Sequence, residues 1–495
     1  MTQGKTTIGK KPTLVADSGR GTFWGLPLAT AKLYVVLFVV AFLAYVLLWR
    51  QAPVLGADSW GYMHLAEDLR HFRLSDLSLR TPGYPILLVL TGASQHATAA
   101  LFYVQLGLHF IAVWLLASML SGLGLSHRPL LLFGVLLILP PYVEASGYVL
   151  PENLTEFGLA VGLFSLCSWI STNRVVFLWM SSGALAYTAL TRPTFQAAAV
   201  AITACLWVCT RLLRLDGFRH LNLLRAGTVL VLVSAAVMGS YSVLNYVKFG
   251  YFESPILSLS LTTRTIRFVE RLPDRYAVMR DALIRSRNAD LITGSSHTGY
   301  QSVGRVLEEM HRTSGLPEAE IAQDLVKANL VLIAKAPLSY LLEVADAVSA
   351  YWFPWTQGLA NSNTRFVQFL WSVLHFVVIF IFGVQLFALG GTQLFGLSKG
   401  LMARSPAETP SILVTTPHQV FAYCLALTLV VYTMVISCFL NVGIPRYRVP
   451  TDPIIILLLF LGVQIWTNSV RHVPAGDRQV AGNGTSDRDA NPAIK

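Results

Sequence analysis

The stretch Leu33-Tyr34-Val35-Val36-Leu37-Phe38-Val39-Val40-Ala41-Phe42-Leu43-Ala44-Tyr45-Val46-Leu47-Leu48-Trp49 carries no charge. A helix that crosses the hydrocarbon core needs roughly 20 apolar residues, with about 17–25 tolerated, so this run reads as a membrane span. Just beyond it come Gly56-Ala57-Asp58-Ser59-Trp60-Gly61-Tyr62 and then Arg80-Thr81-Pro82-Gly83-Tyr84-Pro85. A carboxylate at the mouth of a span, followed by an arginine and a turn ordered by proline and glycine, can do chemistry on a charged lipid headgroup.

The same ruler predicts about ten spans. After the first they lie near Ala99–Leu120, Leu130–Gly147, Leu154–Ile170, Val175–Leu190, Phe195–Leu212, Ala226–Tyr246, Phe366–Phe387, Val420–Asn441 and Pro453–Trp466. Composition agrees. Of 495 residues 54% are hydrophobic and 13% charged, where a soluble domain carries about 25% charged residues. The expected class is an all-α polytopic membrane protein. The net charge of +11 reads as topology rather than as affinity for nucleic acid, because basic residues gather beside the spans. The five cysteines all fall in apolar runs, away from any loop that would hold a disulfide framework or a zinc site.

Lys5, Lys10, Lys11 and Arg20 precede the first span, and Arg211, Arg214, Arg219 and Arg225 fill the loop after the sixth. The positive-inside rule then places both tails in the cytoplasm, residues 1–32 and a polar, disordered segment at 469–495. Residues 33–247 form a membrane module whose first loop, 50–98, faces outward. Residues 248–365 form one large outer loop with amphipathic helices, and 366–468 the last spans. In the first loop Tyr62, Leu65, Ala66 and Leu69 predict an in-plane helix over Ser59–Phe72. In the large loop Ile321–Trp352 is helical in pattern, broken at Pro337 and closed by Tyr351-Trp352-Phe353-Pro354-Trp355.

Topology gathers five charged motifs at one membrane face: Asp58, Arg80, Glu152 in Leu150-Pro151-Glu152-Asn153, Arg192 in Thr191-Arg192-Pro193, and Arg446 with Arg448 in Ile444-Pro445-Arg446-Tyr447-Arg448-Val449-Pro450. Charge at membrane depth is costly and is paired or functional. A carboxylate can take a proton from an attacking hydroxyl, and arginines can hold a phosphate as charge grows on it. By residue type, Asp58 is the base, Glu152 a second acid or orienting group, and Arg80, Arg192, Arg446 and Arg448 the phosphate holders. Bland readings stand beside these. Asp58 equally suits a helix N-cap, the arginines suit interfacial anchors, and Glu152 suits a cap or an ion pair. The arginines of 264–287 suit a solvated face. His64 and His71 lack a third ligand at metal spacing, and Asn153-Leu154-Thr155 fits a glycosylation sequon beside a span.

Taken together, these motifs resemble the lipid-carrier-dependent glycosyltransferases of the GT-C fold. They resemble in particular the family 39 enzymes, relatives of the dolichyl-phosphate-mannose protein mannosyltransferases and of the aminoarabinose transferases of lipid A. Asp58-Ser59-Trp60-Gly61-Tyr62 is similar to that family's first-loop motif, whose Asp is catalytic, and Arg80-Thr81-Pro82-Gly83-Tyr84-Pro85 to the segment after it. Thr191-Arg192-Pro193, Arg446-Tyr447-Arg448-Val449-Pro450 and Lys335-Ala336-Pro337-Leu338-Ser339-Tyr340-Leu341 resemble later motifs. Many relatives carry Asp-Glu where this chain has Asp58-Ser59, so Glu152 takes the second acidic role by position. The resemblance implies inverting transfer from a polyprenyl-phosphate sugar, without a nucleotide-sugar donor, to a glycan, lipid or protein acceptor; no cofactor is expected, several members of the fold need no metal, and the sequence shows no metal cluster. Tyr62, Tyr84 and Tyr447, inside the same motifs, are expected to line the substrate pocket. The resemblance also implies a bacterial inner membrane with the site facing the periplasm or exterior. Two competing readings are a transporter or flippase of a lipid-linked sugar, which calls for mid-span charges and broken helices, and a membrane scaffold for partners.

Overall fold

The structure, a computed structural model, describes residues 22–23, 25–48, 52–56, 58–73, 80–211, 222–249, 252, 256–293, 300–354, 365–402, 417–441 and 443–471. Residues 1–21 and 472–495, most of the expected tails, lie outside the described residues, as do Arg214, Arg219 and Trp355. Regular structure is helical apart from a short antiparallel hairpin, Thr22–Phe23 against Leu26–Pro27, and one isolated bridge.

Seven helices are long and apolar enough to cross a membrane, and up to nine if each of two bent pairs counts as one span. The chain is a multi-pass membrane protein. In chain order come α1 (Leu28–Leu48), α2 (Ser59–Arg70), α3 (Gly83–Leu90), α4 (Ala99–Gly122), α5 (His127–Leu137), α6 (Pro140–Val143) and α7 (Glu152–Thr172). Then follow α8 (Val175–Thr191), α9 (Ala198–Arg211), α10 (Leu223–Phe249), α11 (Ile256–Thr265), α12 (Ala277–Thr293), α13 (Tyr300–Ser314) and α14 (Glu318–Lys335). The last four are α15 (Pro337–Trp352), α16 (Arg365–Met402), α17 (Pro417–Leu440) and α18 (Asp452–Arg471).

Over their described residues, all ten expected apolar runs are largely helical. The third is bent by 61° between α5 and the helical turns from Pro140 to Gly147, and α8 and the Pro193–Cys209 run are shorter than the rest. The bend has a covalent cause. The carbonyl of Leu137 should receive the N–H of residue 141, but Pro141 has none. His109 of α4 lies against it instead, with Nε2 2.9 Å from the carbonyl, while Nδ1 meets Glu156 of α7 at 2.9 Å. One buried histidine thus joins three spans.

Close approach of α7 and α8 depends on small residues. A Cβ at Gly158 would stand 2.2 Å from Thr188 Oγ1, and Ser181 Oγ donates to the Gly162 carbonyl at 2.9 Å. This is the packing that membranes favour, where apolar burial supplies no drive between helices. The largest core cluster runs through the spans, with Leu116, Phe133, Leu163, Leu206, Phe421 and Leu458 buried.

Helices α11 to α15 build a second core around Val269, Leu283, Val306, Leu325 and Tyr351. The break at Pro337 is sharp, at 103°. Between residues 256 and 354 eleven Arg and Lys are matched by eleven Asp and Glu. Many pair directly: Arg267 with Glu343, Arg280 with Asp274, Arg285 with Glu309, Arg305 with Asp290. The 256–354 region is therefore charge-balanced as a whole and cross-linked by ion pairs, while Arg264 of its arginine-rich stretch is buried.

Candidate functional site

Asp58 occupies the N-cap position of α2, yet its side chain makes no capping hydrogen bond. Both carboxylate oxygens turn elsewhere. Oδ1 accepts from Arg80 Nη2 at 2.7 Å, and Oδ2 accepts from Arg446 Nη1 at 2.7 Å. The cap reading does not survive this geometry. Burial pushes the Asp58 pKa up, but the guanidiniums of Arg446 and Arg80 outweigh it and hold the carboxyl below the usual carboxylate range.

The loop that carries Asp58 is pinned by its own backbone. Val54 N–H donates to the Gly147 carbonyl at 2.7 Å, and Val149 N–H to the Val54 carbonyl at 3.1 Å. Ser59 accepts from Gly56 N–H and donates to the Val149 carbonyl, both at 2.8 Å. Ser59, next to the acid, is therefore a buried fastener. Arg80 reaches Asp58 across Gly61, where a Cβ would stand 3.1 Å from its Nε, and it lies 5.0 Å from the Tyr62 ring centre.

Tyr62 meets Tyr84 edge to face at 5.2 Å, and Tyr84 OH donates to Gln105 Oε1 at 3.0 Å. Gln105 Nε2 in turn donates to the carbonyls of Ser146 and Tyr148 at 3.0 and 2.9 Å. Both tyrosines are buried, so they brace the site from behind.

Glu152 begins α7 directly after Pro151 and is fully buried. Its Oε1 accepts from Arg446 Nε at 2.6 Å, and Arg192 Nη1 stands 3.6 Å from the same oxygen. Its Oε2 has no hydrogen-bond partner among the described residues. The adjacent Asn153 is buried and donates to Ser146 Oγ at 2.7 Å, which removes the sequon reading.

Arg192 ends α8 in an extended conformation that the following proline imposes. It is 4% exposed and lies 4.7 Å over the Tyr447 ring, with Nη1 and Nη2 unbonded among the described residues. A buried guanidinium left this way carries a cost that a bound anion would repay.

Asp58, Glu152, Arg80, Arg192 and Arg446 thus form one connected cluster. Two carboxylates face three guanidiniums, leaving one positive charge over, which suits a phosphate ester. Arg448 is not brought to it. Its side chain is buried on the far side of the turn and donates to Asp452 Oδ1 at 2.7 Å and to the Phe353 carbonyl at 2.9 Å. Tyr447 belongs to the cluster as the platform under Arg192. His64 and His71 pair with Asp68 and Glu67 along α2. Among the described residues no group of three His, Cys, Asp or Glu side chains could hold a metal ion.

Three residues of the arrangement escape the sequence reading: Gln105, His109 and Asp452. The first two had a signal, being polar side chains one helical turn apart inside an uncharged span.

No protein-family model matches the chain, and no curated protein matches it. Among solved structures, the chain is similar to the oligosaccharyltransferase of Archaeoglobus fulgidus in the apo form, at 16% identity and a TM-score of 0.45, over 92% of this chain and 52% of that one. It is similar to the oligosaccharyltransferase AglB from the same organism, in complex with an inhibitory peptide and a dolichol-phosphate, at 14% identity and a TM-score of 0.47, over 93% of this chain and 53% of that one. The chain spans about half the length of these proteins.

Proposed function

We propose that this protein is a GT-C-type glycosyltransferase that moves a sugar from a polyprenyl-phosphate donor to a hydroxyl acceptor, with Asp58 as general base. The observation that carries the reading is Arg446, which bonds Asp58 through Nη1 and Glu152 through Nε at 2.7 and 2.6 Å. Its neighbours Arg80 and Arg192 complete a basic rim around two carboxylates.

Chemistry follows from that placement. The donor phosphate draws Arg80, Arg192 and Arg446 to its oxygens, since a phosphate presents more acceptor positions than a carboxylate. Asp58 loses its two bonds and becomes free to accept the acceptor's proton. The acceptor oxygen then bonds to the anomeric carbon while the carbon–oxygen bond to phosphate breaks. The leaving polyprenyl phosphate keeps the electron pair and its charge is held by the arginines, with inversion at carbon. Glu152 orients Arg446 and Arg192. The site belongs to the outer face of a bacterial inner membrane, and the acceptor is a glycan, a lipid or a protein.

A transporter of lipid-linked sugar would use ionisable groups in mid-span. One such pair exists, His109 with Glu156, but the broken helix at Leu137 occupies it, and the enzyme reading is favoured.

The test uses purified protein in detergent with polyprenyl-phosphate sugars. Wild type is expected to consume the donor and Asp58→Asn to lose about 100-fold or more of the rate. Full activity in the variant would remove Asp58 as the base.

A further inference from the structure

Residues 439–441 and 443–452, among them Arg446, lie along one face of α15. Four contacts follow one another at helical spacing on that helix. Tyr340 OH donates to the Phe439 carbonyl. Arg264 of α11 donates from Nη1 to the Glu343 carbonyl at 2.7 Å and from Nε to the Asn441 carbonyl. Gly443, at φ +60°, packs so close that a Cβ would stand 2.6 Å from Ala347 Cβ and 2.8 Å from its carbonyl oxygen. Arg448 donates from Nη1 to the carbonyls of Tyr351 and Phe353. Residues 340, 343, 347 and 351 lie on one stripe of a 3.6-residue helix.

Arg448 is wholly buried and charge-paired with Asp452 at 2.7 Å. It has no net charge to offer a phosphate. Its fork instead supplies donors to carbonyls at the end of α15, which a helix leaves without partners. Arg264 does the same for the carbonyl just past the end of α17. Two buried arginines therefore hold the segment on either side of Arg446.

We infer that Arg448 and Arg264 are positioning residues, which lock the 439–452 segment along α15 and so set Arg446 between Asp58 and Glu152. This rests on the reading of Arg446 as a donor-phosphate holder. It makes helices α11 to α15 part of the donor site's geometry, although among the described residues none of their side chains enters the cluster. A displacement of about 1 Å at a reacting contact costs on the order of 100-fold, so a small slip of the clamp is enough to be read in function.

Arg448→Lys and Arg264→Lys keep the charge, but a single ammonium cannot reproduce the fork. The probe is polyprenyl monophosphate binding to the full chain in detergent, followed by transfer kinetics. Each variant is expected to weaken binding of the phosphate lipid about 10- to 100-fold and to raise donor KM, with acceptor KM unchanged. In an Arg446→Ala background the same substitutions are expected to add less than about twofold, because their effect passes through Arg446. Unchanged phosphate-lipid binding in both lysine variants, or losses that multiply in the Arg446→Ala background, would overturn the inference. If one variant does not fold, the other gives the same comparison, and Gly443→Ala tests the third contact. Wild type that fails to bind polyprenyl monophosphate, or Arg446→Ala that binds it normally, sinks the donor-site reading itself, which separates the two failures.

Discussion

Arg446 donates from Nη1 to Asp58 Oδ2 at 2.7 Å, joining residues 388 positions apart. With Arg80 on the other oxygen, Asp58 is fully engaged in the resting protein. Its carboxyl is held below the ordinary range despite burial, because two guanidiniums favour the charged form. In the proposed reaction the donor phosphate competes for those same guanidiniums, so Asp58 is expected to become the stronger base only after the donor arrives.

The pH dependence carries this signature. A group whose pKa is lowered on folding stabilises the fold above its unfolded value of about 3.9, and that stabilisation is lost as pH falls through the lower folded value. In kinetics, kcat/KM for the donor reports the free enzyme and kcat reports the complex. The acid limb of donor kcat/KM is expected below about pH 4, and the limb of kcat at higher pH. Measuring both profiles with saturating acceptor checks this. Coincident limbs would mean that the arginines stay on Asp58 throughout.

Two glycines near the cluster separate folding from function. A Cβ at Gly83 would stand 2.7 Å from the backbone of Leu190 and Thr191, where nothing can yield. Gly83→Ala is expected to destabilise by about 1–3 kcal/mol, read as a fall in melting temperature in detergent. At Gly61 the neighbour is the flexible end of Arg80, at 3.1 Å. Gly61→Ala is expected to leave the melting temperature nearly unchanged while lowering transfer, since Arg80 must move off Asp58. The reverse ranking of the two melting temperatures would contradict the packing described.

The sequence alone predicts that the charges of this cluster share one membrane face. Span parity alone predicts Asp58, Glu152, Arg192 and Arg446 at one membrane face, and the structure bonds Arg446 to both carboxylates and sets Arg192 3.6 Å from Glu152. Arg448 shows where that reasoning stops. It lies two residues from Arg446, at the junction between the short 3-10 turns Pro445–Tyr447 and Val449–Thr451, so the two side chains leave in different directions. Residue type and depth are the same for both, and only α15 decides which one meets Asp58. The bend at Pro140-Pro141 escaped for another reason. Hydropathy averages over the run, whereas the break depends on one missing N–H and on a histidine from another span.

That histidine gives a stability prediction. His109 and Glu156 are both buried, and His109 also serves the Leu137 carbonyl. His109→Ala strands a buried carboxyl and a buried carbonyl together, at a cost of about 3–5 kcal/mol. Glu156→Gln keeps a hydrogen-bonding partner for the ring and should cost about 1 kcal/mol. Melting temperatures of the two purified variants test the order. Equal losses would mean that the Leu137 carbonyl contributes nothing.

Arg192 should behave in the opposite way. Its guanidinium is 4% exposed and stacked on Tyr447, with two nitrogens unbonded among the described residues. Glu152, its carboxylate neighbour at 3.6 Å, already has Arg446 at 2.6 Å. A buried charge so poorly served adds little to the resting fold, and its desolvation opposes folding. Strain of this kind persists where a ligand later relieves it. Arg192→Met, which keeps the packing over Tyr447, is expected to hold or raise the melting temperature and to lower donor kcat/KM by about 100-fold, in line with loss of a charged contact to phosphate. The donor should also protect the two proteins unequally, because ligand stabilisation scales with affinity. Polyprenyl monophosphate is expected to raise the melting temperature of wild type and to leave that of the variant unmoved. A large fall in the variant's melting temperature without donor would instead make Arg192 a structural ion-pair partner of Glu152.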